Sequence, residues 1–283
     1  MSDDGSLLAR IERYYATVPL LFADAEEYGP LRLFVRKEPG APYYGGPGHA
    51  QPGGAGGVAD GDIARVRARQ RELGVPEAFE WLAEAAPDLR ERIEAAGLTV
   101  AERPLMVLDP GRPLAPQPQP QPQPLPAGVF VRAVEADDPE LPAVLALPRL
   151  AFGRDDTAGA RELAAAAEDV IADGTVEAVR PTLRAGHKRL LAAFGPDDVP
   201  LAAGHYHPAG GATEIGGVGT LPTARRQGLA AAVTTALAVD AREHGVTTVF
   251  LAYAAESVAR LYARLGFRPA GVTLLIAGQP ARS

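Results

Sequence analysis

The residues whose types and spacing suit chemistry fall mostly in the last third of the chain. In the stretch ATEIGGVGTLPTARRQGLA, residues 212–230, Ile215, Val218 and Leu221 favour a strand, and Pro222 ends the ladder by withholding an N–H. An alanine-rich segment that must be helical follows. The spacing Arg225-x-x-Gly228-x-Ala230 keeps side chains small where that helix begins. The unpaired N–H groups of its first turn and the positive end of its dipole can then face a phosphate-sized anion. A flexible turn without ligand uses the same glycines. Glu214 stands at the head of the strand as a proton acceptor or as a merely solvated carboxylate. His205 and His207, two apart and hence on one face of the preceding strand, are alternative acceptors. As a metal site this pair lacks a third ligand at a suitable spacing. Tyr262, in ESVARLYARLGF, is either a proton donor or a core aromatic packed on Leu261 and Phe267.

The elements that position these residues are a hairpin, Lys188 to Phe194 and Leu201 to His207, turning through GPDDVP, then the 212–221 strand and its helix. A further strand, Thr247 to Tyr253, and a helix from Glu256 close the series. Upstream, Val129 to Val134 reads as a strand, and Asp138 to Phe152 and Ala160 to Ala172 read as helices. Gly216, Gly217 and Gly219 crowd the 212–221 strand, which marks a bulge or a close backbone approach.

The order strand, R-x-x-G-x-A helix, strand, helix ending L-Y-x-x-L-G-F resembles the acetyl-CoA-binding core of the GNAT N-acetyltransferase superfamily. The resemblance covers roughly residues 128 to 279 and is specific in its last third. It implies an α/β protein with a mixed sheet, the acyl-CoA N-acyltransferase (GNAT) fold, and an acyltransferase that moves acetyl groups, not amino-acyl groups. It implies acetyl-CoA as cosubstrate, no metal, and direct transfer to an amine. The backbone of Val218, Gly219 and Thr220 would pair with the pantetheine arm. Around the turn, Arg225, Arg226, Gln227, Gly228, Leu229 and Ala230 would hold the diphosphate through backbone N–H groups. Tyr262 would be the general acid toward the leaving thiolate and Glu214 the general base. Where the family often has a cofactor-touching asparagine, this chain has Ala255, so either cofactor affinity suffers or Glu256 or Ser257 compensates. Arg260 and Arg264 either reach a phosphate or face solvent. A non-catalytic acyl-CoA sensor or interaction module is the alternative, and a structural clamp is a third reading.

Length and composition bound the rest. At 283 residues the chain has room for about two domains. With 47% hydrophobic and 22% charged residues it is globular. The formal charge of −7 argues against nucleic acid, whose backbone demands a basic surface. The absence of cysteine removes disulfides, thiolate zinc sites and a cysteine acyl-enzyme. No secretory signal and no apolar run of about 18 residues is visible, so a cytoplasmic protein without membrane contact is expected. The partner called for is a small-molecule amine or a peptide acceptor, and a homodimer is allowed for.

The first half, residues 1–109, offers a helix from Leu7 to Tyr15, a strand from Leu31 to Arg36 and a helix from Asp62 (its N-cap) to Gly74. Strand, helix and strand follow over Ala78 to Glu84, Asp88 to Ala96 and Thr99 to Leu108. The glycine-rich Gly40 to Asp62 is expected as a mobile loop, with Tyr43 and Tyr44 at its edge as ligand contacts or core anchors. This order echoes the second half, so a structural duplication is expected, two GNAT-like domains in tandem. The echo is degenerate: no R-x-x-G-x-G/A turn precedes the Asp62 helix, and Ile93 stands where Tyr262 does. Residues 110–127 join the halves. Within the alternating run Pro116 to Pro126 no two prolines are three apart, so that run reads as a semi-rigid polyproline II spacer, not as a P-x-x-P ligand. The catalytic domain is then residues 128–283.

Overall fold

The computed structural model describes residues 6–37, 44–48, 57–108, 125–153 and 155–276. Tyr43 and most of the proline-rich spacer lie outside them. The elements of the first half are α1 (Leu7–Thr17), β1 (Ala23–Tyr28), β2 (Leu31–Arg36), β3 (Tyr44–Pro47), α2 (Asp60–Glu72), β4 (Glu80–Leu82), α3 (Leu89–Ala95) and β5 (Val100–Leu108). Those of the second are β6 (Phe130–Ala133), α4 (Leu141–Ala151), α5 (Ala160–Ala172), α6 (Thr175–Arg184), β7 (Arg189–Phe194), β8 (Pro200–Tyr206), β9 (Ala212–Thr220), α7 (Leu229–Glu243), β10 (Thr248–Ala252), α8 (Glu256–Arg264) and β11 (Phe267–Ile276). No helix among the described residues is long and apolar enough to cross a membrane.

The chain forms two compact units, and residues 252–254 and 269–276 group with the first. In that unit β1, β2 and β3 form an antiparallel sheet, and a single parallel bridge, Gly45 to Phe79, leads from β3 to the β4 segment. β4 pairs antiparallel with β11, setting Leu274 opposite Trp81, and β5 flanks β11 on the other side. Ile63 and Val66 of α2 and Leu89 and Ile93 of α3 share one core with Leu31, Leu33, Phe79, Trp81, Leu274 and Ile276. The sequence reading puts residues 128–283 in the second domain, and β11 lies within that range. Burial sends it elsewhere: its alternate apolar side chains fill the first unit's core.

Other differences from the sequence reading have local causes. β1, ADAEEY, escapes notice because its solvent-facing acids hide the alternation. Inside the stretch expected as a mobile loop, Tyr44–Pro47 is a strand, with Tyr44 buried 5.3 Å from the Phe34 ring. Helix α2 begins two residues early, so Asp62 is not the N-cap; its carboxylate instead accepts the Ala59 N–H at 2.9 Å from the first turn.

In the second unit β6, β7, β8, β9 and β10 lie side by side in that order, antiparallel except for the parallel β9–β10 pair. Leu190 to Phe194 of β7 are buried without interruption, as in a strand covered on both faces. A Cβ at Gly204 would meet Leu237 of α7 at 2.8 Å, and one at Gly219 would meet Ala151 of α4 at 2.6 Å. Since Gly219 pairs with Ala203, the neighbour of Gly204, the two helices cover opposite faces. Helix α7 buries Leu229, Val233, Thr234, Leu237, Ala238 and Ala241, a stripe of helical period. The sequence reading misses α6 because Gly174 and Pro181 read as breakers. Gly174 caps it in a left-handed conformation, the Asp173 carboxylate accepts the Thr175 N–H, and Val176 and Leu183 anchor it.

Candidate functional site

The β8–β9 ladder changes step in its middle: Ala203 faces Gly219, yet His205 faces Gly216. The extra residue on β9 makes a bulge at Gly217 and Val218, with Gly217 at φ 61°. A Cβ on Gly217 would lie 2.8 Å from the His205 ring, so the imidazole rests directly on the bulge and only glycine fits beneath it. Burial, aided by the charges of Lys188 and His207, holds the His205 pKa well below the ordinary histidine value, and the ring is neutral at physiological pH. His207 meets it edge-on at 5.4 Å and places Nδ1 2.8 Å from the His187 carbonyl. A carbonyl oxygen only accepts, so Nδ1 carries the hydrogen of that bond. Glu214 pairs across to Phe250 of β10; one further step of the β8 register sets it opposite His207. All the base candidates named from sequence therefore share one face of the sheet.

The other face is structural. The Tyr206 hydroxyl donates to Asp240 at 2.6 Å, and Arg189 donates to the same carboxylate at 3.0 and 3.2 Å, tying α7 to the sheet. Burial works to raise the Asp240 carboxyl, and the hydrogen bonds from Arg189 and Tyr206 outweigh it, leaving it below the usual range.

Beyond Glu214 the β9–β10 register stops, so Ile215 to Thr220 have no strand partner on the β10 side among the described residues. The chain then makes a short 3-10 turn, Pro222–Ala224, runs extended at Arg225, turns left-handed at Arg226 (φ 68°) and Gly228 (φ 80°), and enters α7. The first intrahelical bond runs from the Ala232 N–H to the Gly228 carbonyl. Among the described residues, the N–H groups from Arg226 through Ala231 have no acceptor. Alternating backbone hand turns such amides into a concave anion-binding nest at the positive end of the helix.

Each side chain named there plays its own part. Arg225 donates to Asp156 at 2.6 Å and to the Ala151 carbonyl at 3.0 Å, so its guanidinium pins the segment after α4 against the turn. Thr223 bonds the Ala158 carbonyl through its N–H and its hydroxyl, reinforcing that contact. Arg226 and Gln227 are exposed, Leu229 is buried in the core, and Val218 and Gly219 point to opposite sheet faces. What these residues offer a ligand is mainly backbone. Sequence reasoning missed Asp156 and Ala158, which lie some seventy positions upstream with no motif to mark them.

Tyr262 stands on α8, whose buried face is Ala259 and Tyr262. Its ring lies 5.9 Å from that of Phe267, and burial pushes the phenol pKa up to about 12. Arg260 and Arg264 of this helix are exposed, as are Ala255, Glu256 and Ser257 at its start. The structure thus gathers the amide nest, the open β9 edge and the Glu214–His205–His207 face around β9, with Tyr262 on a helix of its own.

The family model for FR47-like protein matches residues 193–275. A GCN5-related N-acetyltransferase from Kribbella flavida is similar in structure, with a TM-score of 0.70, 23% identity and 96% of each chain covered. One from Sphaerobacter thermophilus has a TM-score of 0.56 and 19% identity, over 87% of this chain and 76% of its own. A tandem GNAT protein from the clavulanic acid biosynthesis pathway has a TM-score of 0.54 and 17% identity, over 88% and 79%. No curated protein matches the sequence. The resemblance read from the motifs stands as far as this: the chain has the fold of the GCN5-related N-acetyltransferases along its length, and residues 193–275 match the FR47-like family model.

Proposed function

We propose that this chain is an acetyl-CoA-dependent N-acetyltransferase that transfers the acetyl group directly to an amine. The observation that carries the reading is the run of unpartnered amides from Arg226 through Ala231, curved by two left-handed residues at the start of α7. Such a cradle suits a diphosphate. The β9 edge beside it, Val218 to Thr220, suits a chain of amides that pairs as a strand would. Acetyl-CoA, when bound, supplies an acetyl group activated as a thioester.

Around it the chain's own groups divide the work. Glu214 takes the amine proton, directly or through a water, as the N–C bond forms and the C–S bond breaks. His207 is its neighbour in this role, and His205, its pKa lowered by burial, is a weaker base than an ordinary histidine. Tyr262 presents its phenol to the departing sulfur. The acceptor is a small-molecule or peptide amine, which the overall charge of −7 does not repel. The first unit is a degenerate GNAT-like domain in tandem with the second. Its mixed strand pairing with two helices on one core supports that assignment, and Ile93 standing where Tyr262 does supports its degeneracy.

Calorimetric titration with coenzyme A, followed by thiol release from acetyl-CoA across an amine panel, tests the reading. Saturable binding and amine-dependent release are expected. Binding without release from any amine supports the non-catalytic sensor instead, and no binding at all overturns the cradle.

A further inference from the structure

Helix α4 ends against β9 more closely than side chains ordinarily allow. A Cβ at Gly219 would meet the Ala151 methyl at 2.6 Å, the Leu147 side chain at 3.6 Å and the Phe152 ring at 3.7 Å, so the glycine lets the last turn of the helix settle on the strand. Leu147 is fully buried, yet Phe152, which caps the helix, is 59% exposed, the most exposed of the large hydrophobic residues described. A single exposed apolar residue is ordinary. Phe152 differs in what holds it and in what it stands beside.

Its backbone is fixed from two sides. The Phe152 N–H donates to the Pro148 carbonyl at 3.0 Å, and the carbonyl of the preceding residue, Ala151, accepts from Arg225 at 3.0 Å. Arg225 begins the turn that carries the unpartnered amides, so one guanidinium ties the aromatic residue to the anion cradle. The ring's neighbour, Gly219, pairs with buried Ala203 on the β8 side and has no strand partner on the β10 side among the described residues. A phenylalanine on a fixed backbone, left in water beside an open strand edge, loses little further entropy when a ligand covers it.

We propose that Phe152 is a binding residue for the pantetheine arm of coenzyme A, covering the arm from the α4 face of the sheet where it runs along Val218 to Thr220. This assignment rests on the acetyl-CoA reading and adds to it a contact that backbone amides cannot make. Most of the arm is amide, which a strand edge can pair. Next to the diphosphate, however, the arm carries a geminal dimethyl group, and an aromatic face beside the cradle suits that branched apolar group.

The full-length protein is titrated by calorimetry with coenzyme A and with adenosine 3′-phosphate 5′-diphosphate, which keeps the diphosphate and lacks the arm. Phe152→Ala is expected to weaken coenzyme A roughly tenfold and to leave the nucleotide within about twofold of the parent. Phe152→Leu, which keeps an apolar side chain, should lose no more than about threefold. In thiol release the KM for acetyl-CoA should rise in the alanine variant while kcat stays nearly constant, as for a contact made equally in ground and transition states. Should that variant fold poorly, nuclear Overhauser effects between the methyl groups of bound coenzyme A and an aromatic ring of the unaltered protein, lost in Phe152→Leu, report the same contact. Unchanged coenzyme A affinity in Phe152→Ala, an equal loss on the nucleotide, or methyl-to-ring effects that survive in Phe152→Leu would each overturn the proposal and leave the cradle standing. Failure of both ligands to bind the unaltered protein overturns the acetyl-CoA reading and the proposal with it.

Discussion

Replacing Tyr262 by phenylalanine separates the roles a buried phenol can play in the transfer. The pKa of about 12 keeps the hydroxyl protonated throughout the working range, so it is always a donor. It is a reluctant one: full transfer to a thiolate whose conjugate acid lies near 8.5 runs uphill by about 3.5 pKa units, roughly 5 kcal/mol. Tyr262 then acts chiefly by hydrogen-bonding the charge that develops on sulfur. A hydrogen bond to a charged group contributes about 1.5–3 kcal/mol, so Tyr262→Phe should lower turnover roughly 10- to 150-fold. Coenzyme A affinity should be unchanged, because the ring stays against Phe267 and the hydroxyl has no protein partner among the described residues. Wild-type turnover should show no falling limb through pH 10, the ordinary phenol value. A structural readout accompanies the kinetic one. The unfolded chain releases this proton at its ordinary pKa and the folded protein only near 12, so the contribution is intact below pH 10 and lost as pH rises toward 12. The variant should lack that share of the alkaline loss, about 3 kcal/mol at most. Thiol-release kinetics and urea midpoints against pH measure both. Unaltered turnover in the variant, or a wild-type limb near pH 10 that vanishes with the hydroxyl, refutes this reasoning.

Three further outcomes follow from the same geometry. Gly217→Ala places a Cβ 2.8 Å from the His205 ring on a left-handed residue, and should cost about 1–3 kcal/mol in denaturant unfolding; full stability would mean the bulge tolerates a side chain. His205 resists protonation when folded, so the unfolded chain binds that proton first. The protein should therefore lose stability as pH falls below 6.5, and His205→Gln should flatten the decline in urea midpoints. Deleting residues 269–283 removes Leu274 and Ile276 from the first unit's core, about 1.5–3 kcal/mol each before the lost ladder is counted. The expected result is unfolding of that unit, seen as a red shift of Trp81 emission, and an unshifted spectrum would show that β11 is dispensable to it.

What could be read from the sequence was what the sequence holds locally. Pro222, Gly228 and the stripe Leu229, Val233, Leu237 lie close enough along the chain to specify strand, turn and helix by themselves, and the L-Y-x-x-L-G-F helix does the same. Among the glycines of β9, Gly217 marks the bulge because nothing larger clears His205 there. Features set by distant partners were hidden. Arg226 is left-handed despite its side chain, in a turn that Asp156 and Ala158 hold from some seventy residues away. β11 was not read as a strand at all, and its neighbour is chosen by which core lacks two aliphatic side chains, a property of the whole fold. That difference explains why the anion cradle, built within a dozen consecutive residues, was legible, whereas the seat of Phe152, made where α4 meets β9, carried no motif. A site made of backbone amides can be inferred from one segment. One made of converging side chains needs the fold first.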